Sequence, residues 1–126
     1  MNHKNQSEVL LWAFYDRMRP KEIEDIQKNR PIAYLPWGAI EYHGSHNPTG
    51  LDSIKASHMC VDLAKKSGGL VLPVVNFSAN LISSYPGVNF PKHSLEFSEK
   101  LVRMLCEEYF EQLVVQDFKI IVLLSG

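Results

Sequence analysis

Three short apolar runs punctuate the chain: Ile32-Ala33-Tyr34-Leu35, Leu70-Val71-Leu72-Pro73-Val74-Val75 and Ile120-Ile121-Val122-Leu123-Leu124. Each is nearly continuous and rich in branched aliphatic residues, the pattern of strands buried on both faces. Pro73 is a mild objection to the second run, because proline withdraws a ladder donor. Between the runs the period changes. Leu101, Val102, Leu105, Tyr109, Leu113 and Val114 recur at three- and four-residue intervals. They predict a long helix, N-capped by Ser94, that runs to Gln116 with Glu96 and Glu99 near its start. Leu51 to Lys66 predicts another helix, closed by Gly68-Gly69, although its apolar stripe is only approximate. Lys21 to Lys28, behind Pro20, predicts a short helix whose thin apolar face (Ile23, Ile26) keeps it on the surface. Leu10 to Arg19 has no clean period and fits either packing across the core or packing against a neighbouring subunit.

Strands that alternate with helices predict a three-layer α/β/α fold around a mostly parallel sheet with right-handed crossovers. A chain of 126 residues holds one such domain at most. The segment 76–92 is long, polar and marked by a turn at Tyr85-Pro86-Gly87. Segments of this length inside compact domains usually serve function or move.

The chemistry is concentrated where the first strand ends. Between Pro36 and Asp52 stand Glu41, His43, His46 and Asp52, among glycines and prolines. A strand running into a polar loop is where α/β proteins usually keep their sites. In an extended segment Glu41 and His43 point to the same side, and Asp52 is far enough along to fold back as a second carboxylate. This donor mixture suits zinc, manganese or iron, and a carboxylate between two ions can bridge them. The plainer reading is that these residues are caps, turn formers and surface charges.

Composition narrows the partners. Hydrophobic residues make up 45% of the chain, charged residues 21%, and the net charge is −1. That balance leaves no electrostatic footprint for nucleic acid or an anionic membrane. None of the apolar runs approaches the roughly 20 residues that span a bilayer, and Met1 to Gln6 does not open a signal peptide. The expected address is cytoplasmic. Cys60 and Cys106 read as reduced, partly buried small hydrophobes. An anion-binding module, with the loop and the helix after Gly50 as its cradle, is weak because no phosphate-binding glycine motif is present.

The string Pro-x-Gly-x-x-Glu-x-His-Gly-x-His-x-Pro-x-x-x-Asp, from Pro36 to Asp52, resembles the signature of the creatininase (creatinine amidohydrolase) family. Met18 to Ile23 is similar to the family's opening helix. Tyr85-Pro86-Gly87 is similar to its Phe-Pro-Gly loop, and Asp117 to Leu124 to the strand that carries its next motif. The resemblance implies a metal-dependent amidohydrolase that cleaves cyclic or small linear amide C–N bonds. It implies two divalent ions, Zn²⁺ or Mn²⁺ with Fe²⁺ possible, and a homo-oligomer. By position, Glu41 would hold one ion, His43 the other, and Asp52 would bridge them. His46 would either orient a ligand or make a loop hydrogen bond. His3, His58 and His93 match nothing in the motif and read as surface or helix-face residues.

Against that pattern, Phe77 to Ser84 lacks the family's usual His, Val88 replaces a Thr, and Tyr42 replaces a Gln. Leu124-Ser125-Gly126 ends at the residue before a family metal-ligand His. The expectation is therefore that residues 1–126 are the N-terminal portion of one creatininase-like domain, truncated after its third core strand. The remaining ligands and the catalytic acid–base groups, which cannot be assigned here, would lie in the absent half, and this chain alone would be inactive. The alternative is a non-catalytic shortened homologue that serves as an oligomerisation or regulatory partner.

Overall fold

The computed structural model describes residues 10–80 and 93–126. In chain order these form β1 (Trp12–Phe14), a 3₁₀ turn (Tyr15–Arg17), α1 (Pro20–Asn29), β2 (Ile32–Trp37), α2 (Leu51–Ser67), β3 (Gly69–Val71), α3 (Glu99–Val115) and β4 (Ile120–Ser125). The strands form one sheet in the order β1-β3-β2-β4, and every pairing is parallel. Ala33 stands opposite Leu70 on one side and Ile121 on the other. β2 is thus a central strand, and its last five residues are buried.

Alternation along β2 sorts the core into two layers. Ala33, Leu35 and Trp37 face α1 and α3, where they pack with Ile26, Leu113, Leu70 and Phe118. Tyr34 faces α2 and packs with Cys60, Ala64 and Val71. Helices on both faces of a parallel sheet give the expected three layers. α1 has the thin buried face that its two isoleucines predict: Ile26 is buried and Ile23 partly so. Cys60 is buried, Cys106 partly buried, and both are free. Burial raises the Cys60 thiol pKa to about 11, so it stays protonated and inert. His58 and His93 are exposed.

Four features differ from the sequence reading. The sheet has four strands among the described residues, not three, because Trp12–Phe14 pairs with Gly69–Val71. Within Leu10 to Arg19, three residues thus join the chain's own sheet. Three residues are too few to display a period of two, which hid the strand. The second strand is shorter than predicted, ending at Val71. Pro73 has no N–H to continue the ladder, and pairing returns only as the single bridge Trp37–Val75. α3 begins at Glu99, where the Ser98 hydroxyl accepts from the Leu101 N–H at 3.2 Å. Ser94 is not the cap, and its hydroxyl has another task, described below. Finally, among the described residues every strand pairing of the sheet is parallel, where the sequence predicts a mostly parallel one.

α2 ends as predicted. Gly68 takes φ +78°, a left-handed conformation that closes the helix at low cost only for glycine. The Tyr85-Pro86-Gly87 turn, Val88 and His3 lie outside the described residues. Among the described residues, no helix is long and apolar enough to cross a membrane.

Candidate metal centre

The site forms at the carboxyl end of β2, where open parallel sheets place their ligands. Gly38 follows the strand directly and packs on the first turn of α2. A Cβ there would lie 2.5 Å from the Ser53 nitrogen and 2.7 Å from the Asp52 carbonyl carbon. Only a residue without a side chain lets the strand end and the helix start come so close. Ser53, buried beneath, donates to the Gly38 carbonyl at 3.1 Å and also contacts the Asn76 side chain. Asp52 is thereby held beside the loop that leaves β2. The end of β4 arrives at the same place: Gly126 donates to the Trp37 carbonyl at 2.9 Å and packs on the Asp52 backbone.

The loop itself is tied on several sides. The Glu41 N–H donates to the Thr49 carbonyl at 2.9 Å, which closes the loop at its neck. The Tyr42 N–H donates to the Ser94 hydroxyl at 2.9 Å, and the Leu95 N–H to the Ile40 carbonyl at 2.8 Å. Asn47 donates to the His43 carbonyl at 3.0 Å. The strand-like stretch so held sends Glu41 and His43 to one side and leaves Tyr42 exposed.

Glu41, His43 and Asp52 each offer one donor atom, and these three atoms lie within 4.8 Å of one another. His43 Nε2 is 3.3 Å from Asp52 Oδ2 and 3.9 Å from Glu41 Oε1. The other ring nitrogen, Nδ1, lies 3.1 Å from the Tyr42 carbonyl, which can only accept, so the proton sits on Nδ1. That leaves the Nε2 lone pair facing both carboxylates, the orientation a metal-binding imidazole needs.

The electrostatics point the same way. Burial, and next the neighbouring Asp52 carboxylate, hold the Glu41 pKa above the ordinary carboxylate range. The His43 ring works in the opposite sense and favours the ionised form. For His43, burial alone would lower the pKa. The Tyr42 carbonyl, Asp52 and Glu41 together outweigh it, and the net direction is upward. Two carboxylates and an aimed imidazole in a partly buried pocket are short of positive charge. Their donor set fits a divalent cation.

His46 is not in this group. It is exposed, and its Nε2 lies 3.3 Å from the Asn47 amide, which in turn donates to the His43 carbonyl. Ser94 and Asn76 are close to the site and are not among the residues that the sequence singles out for it. Polar residues in a Ser- and Asn-rich loop carry no signal of which two will fold back.

A family model described as creatininase, creatinine amidohydrolase, matches residues 16–126. The chain belongs to the creatininase family. Solved structures agree on the fold. A creatinine amidohydrolase (creatininase) superposes with a TM-score of 0.78 at 22% identity, covering 87% of this chain and 43% of its own. A structure described as creatininase with Mn gives 0.80 at 22% identity, covering 90% and 44%. A putative creatinine amidohydrolase from Bacteroides fragilis NCTC 9343 gives 0.66 at 21% identity, covering 94% and 46%. This chain therefore spans less than half the length of the creatininase structures it matches. No curated protein sequence matches it.

Proposed function

We propose that these residues form the N-terminal part of a metal-dependent amidohydrolase that cleaves a cyclic or small linear amide C–N bond. Family membership supports the reaction class. The observation that carries the metal reading is the His43 ring, whose Nδ1 is engaged by the Tyr42 carbonyl while Nε2 faces Glu41 and Asp52.

In this reading Glu41, His43 and Asp52 would hold Zn²⁺ or Mn²⁺, with Fe²⁺ as a further occupant, and Asp52 would serve two ions. When bound, such ions lower the pKa of a water toward neutrality and polarise an amide carbonyl. The residues of this chain supply the rest. Tyr42's carbonyl keeps His43 in the competent tautomer, Ser53 and Gly38 fix Asp52, and Ser94 fixes the backbone between Glu41 and His43. A catalytic zinc normally takes three protein ligands of its own, so two ions need more donors than these three. We place the remaining donors, and the acid–base groups, in protein outside the 126 residues. The exposed Leu101, Met104, Val114 and Val115 of α3 support association, in keeping with a homo-oligomer.

The test is equilibrium titration of the protein and its Asp52→Ala variant with Mn²⁺ and with Zn²⁺. Saturable binding that disappears in the variant is the expected result. Equal metal content in both would refute the role of Asp52.

A further inference from the structure

Asn76 stands where three elements meet. The residue before it is tied to β2 twice: the Val75 N–H donates to the Pro36 carbonyl at 2.9 Å, and the Val75 carbonyl accepts from the Gly38 N–H at 3.0 Å. The residue after it is held by the Trp37 indole, which donates to the Phe77 carbonyl at 2.7 Å. Asn76 is thus fixed from both sides, and its side chain reaches the Ser53 hydroxyl in the first turn of α2. Ser53 follows Asp52 directly.

The surroundings of that hydroxyl do not balance. Ser53 is buried, and its Oγ has the Gly38 carbonyl at 3.1 Å, the Ala39 carbonyl at 3.5 Å and Asn76 Oδ1 as neighbours. A hydroxyl carries one proton and two lone pairs. Three acceptor oxygens around one buried proton leave lone pairs facing one another, which is unfavourable. The two backbone carbonyls can only accept. The amide is the one partner that can exchange an acceptor for a donor: half a turn about its last torsion brings Nδ2 to the place of Oδ1 and leaves its shape unchanged.

We propose that Asn76 is a positioning residue for the metal centre: its amide Nδ2 donates to the Ser53 hydroxyl, which commits the hydroxyl proton to the Gly38 carbonyl and so sets Asp52 against Glu41 and His43. This rests on the metal reading of the site. Asn76 touches no candidate ligand. It acts through Ser53, the residue that joins the end of β2 to the helix start on which Asp52 is mounted. Outer partners of this kind fix the orientation of metal ligands.

The experiment measures Mn²⁺ and Zn²⁺ dissociation constants for wild type, Asn76→Ala, Ser53→Ala and the double variant, together with the visible spectrum of each at saturating Co²⁺. Each single variant should bind metal about 10-fold more weakly. The double variant should bind no more weakly than the weaker single one, because both substitutions break one relay. The Co²⁺ bands of Asn76→Ala should shift in the same sense as those of Ser53→Ala, since a turned Asp52 alters the geometry at the ion. In the wild type, NMR should show a side-chain amide proton of Asn76 that exchanges more slowly than those of exposed Asn29; this reading decides if the variants do not fold. An Asn76→Ala variant with wild-type affinity, losses that multiply in the double variant, unshifted Co²⁺ bands, or Asn76 exchange as fast as that of Asn29 would each overturn the proposal and leave the metal reading in place. A wild type that binds none of the ions would overturn both.

Discussion

His43 Nε2 and Asp52 Oδ2 stand 3.3 Å apart, although one residue belongs to a loop and the other to the first turn of α2. Neither element holds the contact alone. The loop is closed by the Glu41–Thr49 hydrogen bond, and the helix start is seated on Gly38. Glu41 completes the group at 3.9 Å from the same nitrogen. Two carboxylates converging on one imidazole raise the proton affinity of the cluster and prepare it for a cation.

Replacing Glu41 with Gln removes one of the two negative charges while keeping the shape. The metal-free Glu41→Gln protein should melt at the wild-type temperature or above it, because repulsion between Glu41 and Asp52 is relieved. Its affinity for Mn²⁺ should fall by more than the roughly 10–100-fold typical of losing an orienting partner. Calorimetric titration and a thermal melt, run on the same preparation, check both halves.

Acidity should act oppositely on the free and loaded protein. His43 and Glu41 both have raised pKa values in the folded chain, from ordinary values of 6.5 and 4.5. The stabilisation that each proton brings is fully present below the ordinary value and is lost as pH rises through the folded one. The metal-free protein should therefore lose part of its stability as pH climbs past 6.5, the His43 reference. Metal binding needs the deprotonated donors and should strengthen over the same range. Melting curves between about pH 6 and 8, with chelator and with excess Mn²⁺, should diverge as pH increases. Parallel curves would contradict the assignment of His43 as a ligand.

Gly38→Ala should be costly for its size. The new methyl group would meet backbone atoms of Asp52 and Ser53, not a flexible side chain. Overpacking of this kind costs about 1–3 kcal/mol. Because relief requires α2 to move away from β2, Asp52 should move with it. Chemical denaturation should show the lost stability, and metal titration a matching loss of affinity.

Trp37→Phe tests the segment that carries Asn76 and Asn80. It deletes the 2.7 Å hydrogen bond to the Phe77 carbonyl, worth about 1 kcal/mol, in addition to some packing. Amide exchange of residues 76–80 should accelerate while that of β2 and β4 stays slow. Unchanged exchange in 76–80 would mean that the indole does not anchor this segment.

The buried strands, the three helices and the three-layer arrangement follow from patterns that any local window of this chain displays. Continuous aliphatic runs need cover on both faces, and helical stripes need a sheet to rest on. Glu41, His43 and Asp52 also stand out in the sequence as candidates, because their types and spacing suit a metal and the motif around them is specific. What local patterns do not carry is convergence. Trp12–Phe14 became a strand only because Gly69–Val71 offered it a free edge. Ser94 looked like a helix cap and instead holds the Tyr42 N–H, since its place beside the loop depends on a bridge between Ile40 and Leu95. Phe77 is one loop residue among many until its carbonyl accepts from the Trp37 indole. Each of these contacts joins residues more than thirty positions apart, and their partners are chosen by the packing of the whole sheet, which no stretch of sequence contains.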